Sequence, residues 1–171
     1  MLPATEALLH SAARAQHVGE VVKPALSVGK VVICDRFFDS TYAYQGGGRR
    51  LDLDTLSAIQ CFAVGDIIPQ VRFLLDLSVE EGLARRRAVP SQVNRMDEAD
   101  LAFHQRVRET YLALARYAPG DWVVLDATYE IERLESLIAT ALRERLGLDV
   151  TTPHPPLTNA SELVVNGVRI P

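Results

Sequence analysis

The 171 residues suffice for one domain with a proper core, and 48% apolar with 23% charged residues is a soluble globular composition. A formal net charge of -4 argues against a general nucleic-acid binder, whose footprint would be basic. No apolar run approaches the roughly 18 residues of a membrane span, and Met1–Glu6 carries no basic stretch of the signal-peptide kind. Cys34 and Cys61 form no CxxC, so both are expected as reduced core thiols in a cytoplasmic protein. There is no internal repeat.

Thr5 is expected to cap a first helix that runs through Val22, before Lys23-Pro24. Leu8, Ala12, Ala15 and Val22 give it an apolar face at helical spacing. Glu6, His10, Arg14 and His17 form the opposite stripe, by itself the solvated side of a surface helix. Gly29 suits a helix end, and Lys30–Cys34, with its β-branched run Val31-Val32-Ile33, reads as a buried strand. Asp35 and Arg36 would then stand at the end of a parallel strand, where open α/β sheets bind ligands. Hydroxyls, two tyrosines, Gln45, the glycines 46–48, Arg49 and Arg50 follow. This mix makes a poor core and suits an anionic ligand, since arginine grips phosphate in a bidentate fork. The glycines allow close backbone approach or positive φ.

Asp52 or Asp54 should cap the next helix, with Leu53, Leu56, Ile59 and Ala63 inward and Gly65 ending it. Val71–Leu77 is a second strand, apolar as strands covered on both faces are. Ser78-Val79-Glu80-Glu81 is a capping box that opens a helix. From Gly82 to Met96 there are four arginines (Arg85, Arg86, Arg87, Arg95) and no acid, and Pro90-Ser91-Gln92 breaks the helix among them. This reads as a basic flap. Asp97–Tyr117 is a long helix with Leu101, Val107, Tyr111 and Leu114 inward, stopped by Pro119-Gly120. Trp122–Thr128 is a third strand, and Ile131–Leu146 a final amphipathic helix stopping at Gly147, with Leu134, Ile138, Ala141 and Leu142 inward. Residues 148–171 change composition to a proline-rich linker and an Asn166-Gly167 hairpin signal.

Asp35-Arg36-Phe37, Ser40 three residues beyond the aromatic, and Ala43-Tyr44-Gln45-Gly46-Gly47-Gly48-Arg49 closely resemble thymidylate kinases of the bacterial type. Glu6-Ala7-Leu8-Leu9, Ala13-Arg14-Ala15-Gln16-His17, Leu75-Asp76-Leu77 with its following helix, and Phe103–Tyr111 resemble further family stretches. The resemblance implies an α/β, three-layer P-loop kinase-like fold with a mostly parallel sheet, residues 1–147 forming the kinase-like domain. It implies transfer of the ATP γ-phosphoryl group to dTMP with Mg2+, in a cytoplasmic homodimer without nucleic-acid or membrane partners.

Carried over on matching motifs, Arg14 would contact the base, and His10 stands where the family has a stacking aromatic. Arg36 would grip the acceptor phosphate, and Asp35 would sit near the magnesium. Ser40 and Thr41 would line the acceptor pocket, Tyr44 would lie against the sugar, and Gln45 and Arg49 belong to the same motif without an assigned role. The basic flap resembles the family's lid, with Arg95 in Asn94-Arg95-Met96-Asp97 where the family has Asp-Arg-hydrophobe-Glu, and Arg86 and Arg87 as donor-phosphate candidates. Arg106 and Arg108 could each be a surface i,i+4 partner or line the cleft, and for Arg108 the surface pair is the expectation. Asp126 and Ala127 match the corner beside adenine, although strand end and helix cap explain them equally well.

No G-x-x-x-x-G-K-[ST] loop occurs in the 171 residues. The family's first strand, its P-loop and its second strand have no counterpart, and that first strand normally separates the strands expected at 30–34 and 71–77. The expectation is therefore an N-terminally shortened kinase domain that does not catalyse alone. A non-catalytic nucleotide-binding or regulatory relative, or a kinase for another nucleoside monophosphate, are the alternatives.

Overall fold

The computed structural model describes residues 1–88 and 100–150, together with the strand residues 164–165 and 168–169. Two compact units emerge, residues 1–68 with 153–171, and residues 69–152.

In the first unit, α1 (Pro3–His17) continues through a π-helical turn (Val18–Val22) into α2 (Lys23–Ser27). Thr5 is not the cap: Pro3 occupies the first turn and Leu2 precedes it. Proline has its φ already set and lacks only an N–H that would be orphaned there. Nor does Pro24 stop the helix. It enters the first turn of α2 directly after the wide π turn, where its missing N–H interrupts no established ladder. Gly29 takes φ 76°, the left-handed position expected of it.

The larger correction concerns which side of α1 is buried. Leu8, Ala12 and Ala15 are exposed, whereas Glu6, Ala7 and Ser11 are buried and Arg14 is half-buried. Glu6 and Arg14 of the polar stripe face inward, while His10 stays exposed, because the elements packed on them carry matching donors and acceptors. These are α3 (Asp39–Thr41), the π-helical segment Tyr42–Gly48, and α4 (Leu53–Val64). Val18, Phe38 and Val64 form the apolar part of this core, with Phe37, Tyr42, Ala63 and Ile67 against it.

Asp52 caps α4 by accepting from the Thr55 amide at 2.9 Å, and Gly65 ends it with φ 62°. Leu56, Gln60 and Val64 point inward, whereas Leu53 is exposed at the helix start. Cys61 is exposed and Cys34 half-buried, so neither is the core thiol expected, and both are free. None of Gly46, Gly47 and Gly48 uses positive φ. At Gly46 the gain is room: a Cβ there would lie 2.5 Å from the Leu53 side chain and 3.4 Å from Leu56.

Residues 30–34 form no strand, and Val31 and Ile33 are 63% and 82% exposed. A strand is defined by its neighbour's hydrogen bonds, and among the described residues no strand pairs with this run.

In the second unit, β1 (Arg72–Asp76) pairs in parallel with β2 (Trp122–Asp126), in register from Arg72 opposite Trp122 to Asp76 opposite Asp126. Between them run α5 (Val79–Arg87) and α6 (Leu101–Tyr117), and α7 (Ile131–Leu146) follows β2. Ser78 caps α5 through the Glu81 amide, and Asp100 caps α6 through the Phe103 amide. Leu101, one residue inside that cap, is exposed rather than inward; Val107 is buried as expected, together with Phe103 and Ala115, and Tyr111 and Leu114 are half-buried. At the start of the sheet Arg72 pairs with Asp121 at 3.0 Å and lies over the Trp122 ring. The helix α7 has the expected bounds and inward residues, and Gly147 closes it at φ 66°. At the end of the chain β3 (Val164–Val165) pairs antiparallel with β4 (Val168–Arg169), the hairpin signalled by Asn166-Gly167. Residues 94–97, Arg95 among them, and the helix break at 90–92 lie outside the described residues.

Among the described residues no helix is long and apolar enough to cross a membrane.

The burial pattern predicts contrasting outcomes on α4. Leu56→Ala should lower the unfolding free energy by about 2–5 kcal/mol, as core truncations do, whereas Phe62→Ala, at 92% exposure, should change it by less than about 0.5 kcal/mol. Urea unfolding followed by far-ultraviolet circular dichroism, to which the helices of the first unit contribute, measures both; equal losses would contradict the packing described.

Candidate functional site

Arg14, half-buried on α1, joins three stretches of the first unit. Its Nη1 donates to Thr41 Oγ1 at 3.1 Å and to Gln60 Oε1, and its Nη2 donates to the Phe37 carbonyl at 3.2 Å. The Phe37 ring lies beneath the guanidinium at 5.8 Å. Gln60 is almost wholly buried, and its Nε2 donates to Ser11 Oγ at 2.7 Å, while the Ser11 hydroxyl donates to the Ala7 carbonyl at 2.7 Å.

About two turns before Arg14 on α1, Glu6 is 5% exposed. It accepts from Gln45 Nε2 at 2.7 Å and from Arg49 at 3.4 Å. These contacts give Gln45 and Arg49 the structural partner that motif reading left unassigned. Burial pushes the Glu6 carboxyl up, but the Gln45 and Arg49 hydrogen bonds and the Arg49 charge outweigh it, so the net shift is downward.

Arg36 adopts φ 63°, a left-handed conformation that a non-glycine residue rarely holds without support. The support is visible: the Arg36 guanidinium lies over the Tyr44 ring at 4.9 Å, a cation–π contact. The Cys34 thiol donates to the Arg36 carbonyl at 3.4 Å. Burial pushes that thiol up. Arg36 and Asp35 are exposed, Ser40 and Tyr44 half-buried, and Thr41 buried. His10 is exposed, one turn of α1 from Glu6.

The structure thus brings Arg14 to Thr41, Arg36 to Tyr44, and Gln45 to Glu6, all within one unit. Ser11 and Gln60 were missed from the sequence. Gln60 follows Leu56 by one turn of α4, and that spacing to an inward leucine was the available signal.

In the second unit, Asp76 and Asp126 end the two parallel strands side by side. Arg108 does not make the surface i,i+4 pair expected of it. Its Nε and Nη2 instead clasp Asp76 Oδ1 and Oδ2 at 2.7 and 2.8 Å, a bidentate fork from α6 to the strand end. The Arg108 hydrogen bonds hold the Asp76 carboxyl below its usual range. Asp126 accepts from the Thr128 hydroxyl and amide at 2.7 and 2.9 Å, which lowers it likewise. An open cavity of about 470 Å3 lies here, lined by Asp76, Leu77, Ser78, Arg108, Asp126 and Thr128 among others. Arg85 bonds Glu81 at 2.6 Å and the Ala127 carbonyl at 3.0 Å, tying α5 to the end of β2. Arg86 is half-buried and Arg87 exposed. Among the described residues no cluster of three or more His, Cys, Asp or Glu side chains could hold a metal by itself.

A family model described as thymidylate kinase matches residues 1–138. The thymidylate kinase of Thermomicrobium roseum is 48% identical over 142 residues, which are 83% of this chain and 68% of the relative. That of Lactobacillus acidophilus is 44% identical over 147 residues, 85% of this chain and 68% of its own. That of Geobacter sulfurreducens is 44% identical over 151 residues, 85% and 71% respectively. The parallel strands and helices of the second unit are those of an α/β protein, and the matched relatives make the chain a phosphotransferase. It belongs to the thymidylate kinase family.

The Glu6 contacts predict a pH response. A folded carboxyl held below its ordinary value of 4.5 contributes stability that is present above that pH and lost as the pH falls through the folded value. The wild-type chain should therefore lose stability on acidification below about pH 4.5, and Glu6→Gln should be less stable at neutral pH with a flatter acid limb. Urea midpoints between pH 3 and 7 read this directly, and an unchanged acid limb in Glu6→Gln would contradict it.

Proposed function

We propose that the first unit is the acceptor side of a kinase that transfers the ATP γ-phosphoryl group to dTMP, giving dTDP. The observation that carries the reading is the Arg36–Tyr44 stack at 4.9 Å, in the same unit as the Arg14–Thr41 contact. In this reading Arg36 binds the acceptor phosphate. The Tyr44 ring under the guanidinium holds the cation in place before the ligand arrives. The Tyr44 ring lies against the deoxyribose, where its bulk disfavours a 2′-hydroxyl. Arg14 reaches the base, Ser40 and Thr41 line the pocket, and Gln45 is held by Glu6. His10 takes the place at which the family stacks an aromatic on the base, so base preference is the least constrained element.

Magnesium would enter with the donor nucleotide. That ion commonly binds through one or two carboxylates plus phosphate oxygens and water, and exposed Asp35 fits as a single carboxylate of that kind. Bound there, the ion would neutralise charge building on the transferred group. Asp126 and Ala127 belong to the donor-base corner, and Arg86, Arg87 and Arg95 to a lid over the donor phosphates. Arg85 is bonded to Glu81 and to the Ala127 carbonyl, which anchors it at the end of β2. Residues 1–147 act as the kinase domain and 148–171 as linker and tail. A homodimer, a cytoplasmic setting and independence from nucleic acid complete the reading, resting on family resemblance.

The 171 residues contain no phosphate-cradling G-x-x-x-x-G-K-[ST] loop. That favours a second reading, in which this chain binds dTMP without turning it over. Both readings share the acceptor pocket and differ in phosphoryl transfer.

Calorimetry with dTMP and thymidine tests the shared part. Arg36→Ala should weaken dTMP binding roughly tenfold or more, as loss of a charge-assisted phosphate contact does, and leave thymidine binding unchanged. No dTMP binding by the wild-type chain, or an Arg36→Ala variant that binds as well, would overturn the assignment. Coupled assay of dTDP formation with ATP and Mg2+ then separates the two readings, the expected outcome for the 171-residue chain being no turnover.

A further inference from the structure

We infer that Gln60 is the positioning residue that fixes the Arg14 guanidinium and, through it, sets base selectivity. The inference rests on the reading of Arg14 as the base contact.

The argument begins with hydrogens. Ser11 has a single hydroxyl hydrogen, donated to the Ala7 carbonyl at 2.7 Å. Toward Gln60 its oxygen can therefore only accept, which obliges the Gln60 NH2 to face Ser11, as the 2.7 Å contact has it. With the amide nitrogen committed, the amide oxygen must face Arg14. The orientation of this amide follows from the network rather than from free choice.

Arginine Nη1 carries two hydrogens, and they go to Gln60 and Thr41. Together with the Nη2 bond to the Phe37 carbonyl, three acceptors from three separate stretches define the plane of the guanidinium. Of these, Thr41 can rotate its hydroxyl, whereas the Gln60 oxygen is locked by the chain behind it. Gln60 is 1% exposed, so a lost bond there is not replaced by water without cost. A guanidinium held this way presents donors in one fixed direction. At the ring position where thymine carries its O4 acceptor, cytosine carries an N4 amino donor, and only the first can accept from arginine.

The test uses the full chain and two variants. Gln60→Leu removes the acceptor while keeping a side chain of similar size. Gln60→Glu keeps an acceptor for Arg14, and the Ser11 hydroxyl can turn to donate to it. Nitrogen-15 spectra of the ligand-free proteins report whether rotation about the Arg14 guanidinium bonds is slow. It is expected to be slow in wild type and Gln60→Glu, and averaged in Gln60→Leu. Calorimetry then gives the ratio of dTMP to dCMP affinity, expected to fall about tenfold in Gln60→Leu, the scale of one charged hydrogen bond, and to stay within about threefold in Gln60→Glu.

An Arg14 guanidinium still locked in Gln60→Leu overturns the inference whatever the ligand does. So does a Gln60→Leu variant that weakens dTMP and dCMP equally, which is the mark of a merely structural role. A wild-type chain without preference for dTMP defeats the base-contact reading instead; it also removes the selectivity half of the inference, leaving the spectra to decide whether Gln60 holds Arg14.

Discussion

A buried strip of polar side chains on α1 holds the first unit together. Glu6, Ser11 and Arg14 each meet a partner from another stretch: Gln45 and Arg49, Gln60, and Thr41 with Phe37. Such a strip is costly when incomplete, because each unmatched group forfeits its hydration. When complete it fixes register, since leucines can slide past one another and a carboxylate in a two-donor fork cannot. The leucines of α1 are accordingly left outside, Leu8 and Leu9 among them.

This inversion explains how much could be read from the amino acids alone. Elements with strong local rules were legible: Asp52 and Gly65 bounding α4, and Ile131–Leu146 with its left-handed glycine. Motif residues were legible as residues, and the fold brings Arg36 to Tyr44 and Arg14 to Thr41. The inward face of α1 was not legible, because the periodicity of apolar groups assumes that water takes the polar side. Partners more than twenty residues away decided otherwise, and nothing in the helix itself announces them.

The second unit shows the same logic at its strand ends. Asp76 and Asp126 lie opposite each other, two like charges at neighbouring strand ends. Each is stabilised in its charged form by a different device. Asp76 has the Arg108 fork from α6, and Asp126 has the Thr128 amide and hydroxyl of its own turn. Arg108 was expected to find a neighbour on its own helix. A carboxylate one element away offered both oxygens at once, which a flexible i,i+4 partner does not.

The run Val31-Val32-Ile33 carries the argument furthest. Its composition is that of a buried strand, yet two of its three side chains lie open. Burying one such side chain is worth about 1.5–3 kcal/mol, and among the described residues no strand pairs with this segment to supply it. Strand propensity measures what a neighbour would cover rather than a preference of the backbone alone. The consequence reaches Asp35 and Arg36, which a ladder of hydrogen bonds would otherwise have placed. Here Arg36 keeps a left-handed backbone with the Cys34 thiol on its carbonyl and the Tyr44 ring under its guanidinium. Its direction is set from the side-chain end, by the same Tyr44 that the dTMP reading lays against the sugar. In that reading phosphate grip and sugar fit are coupled through one aromatic ring, and neither can be altered alone.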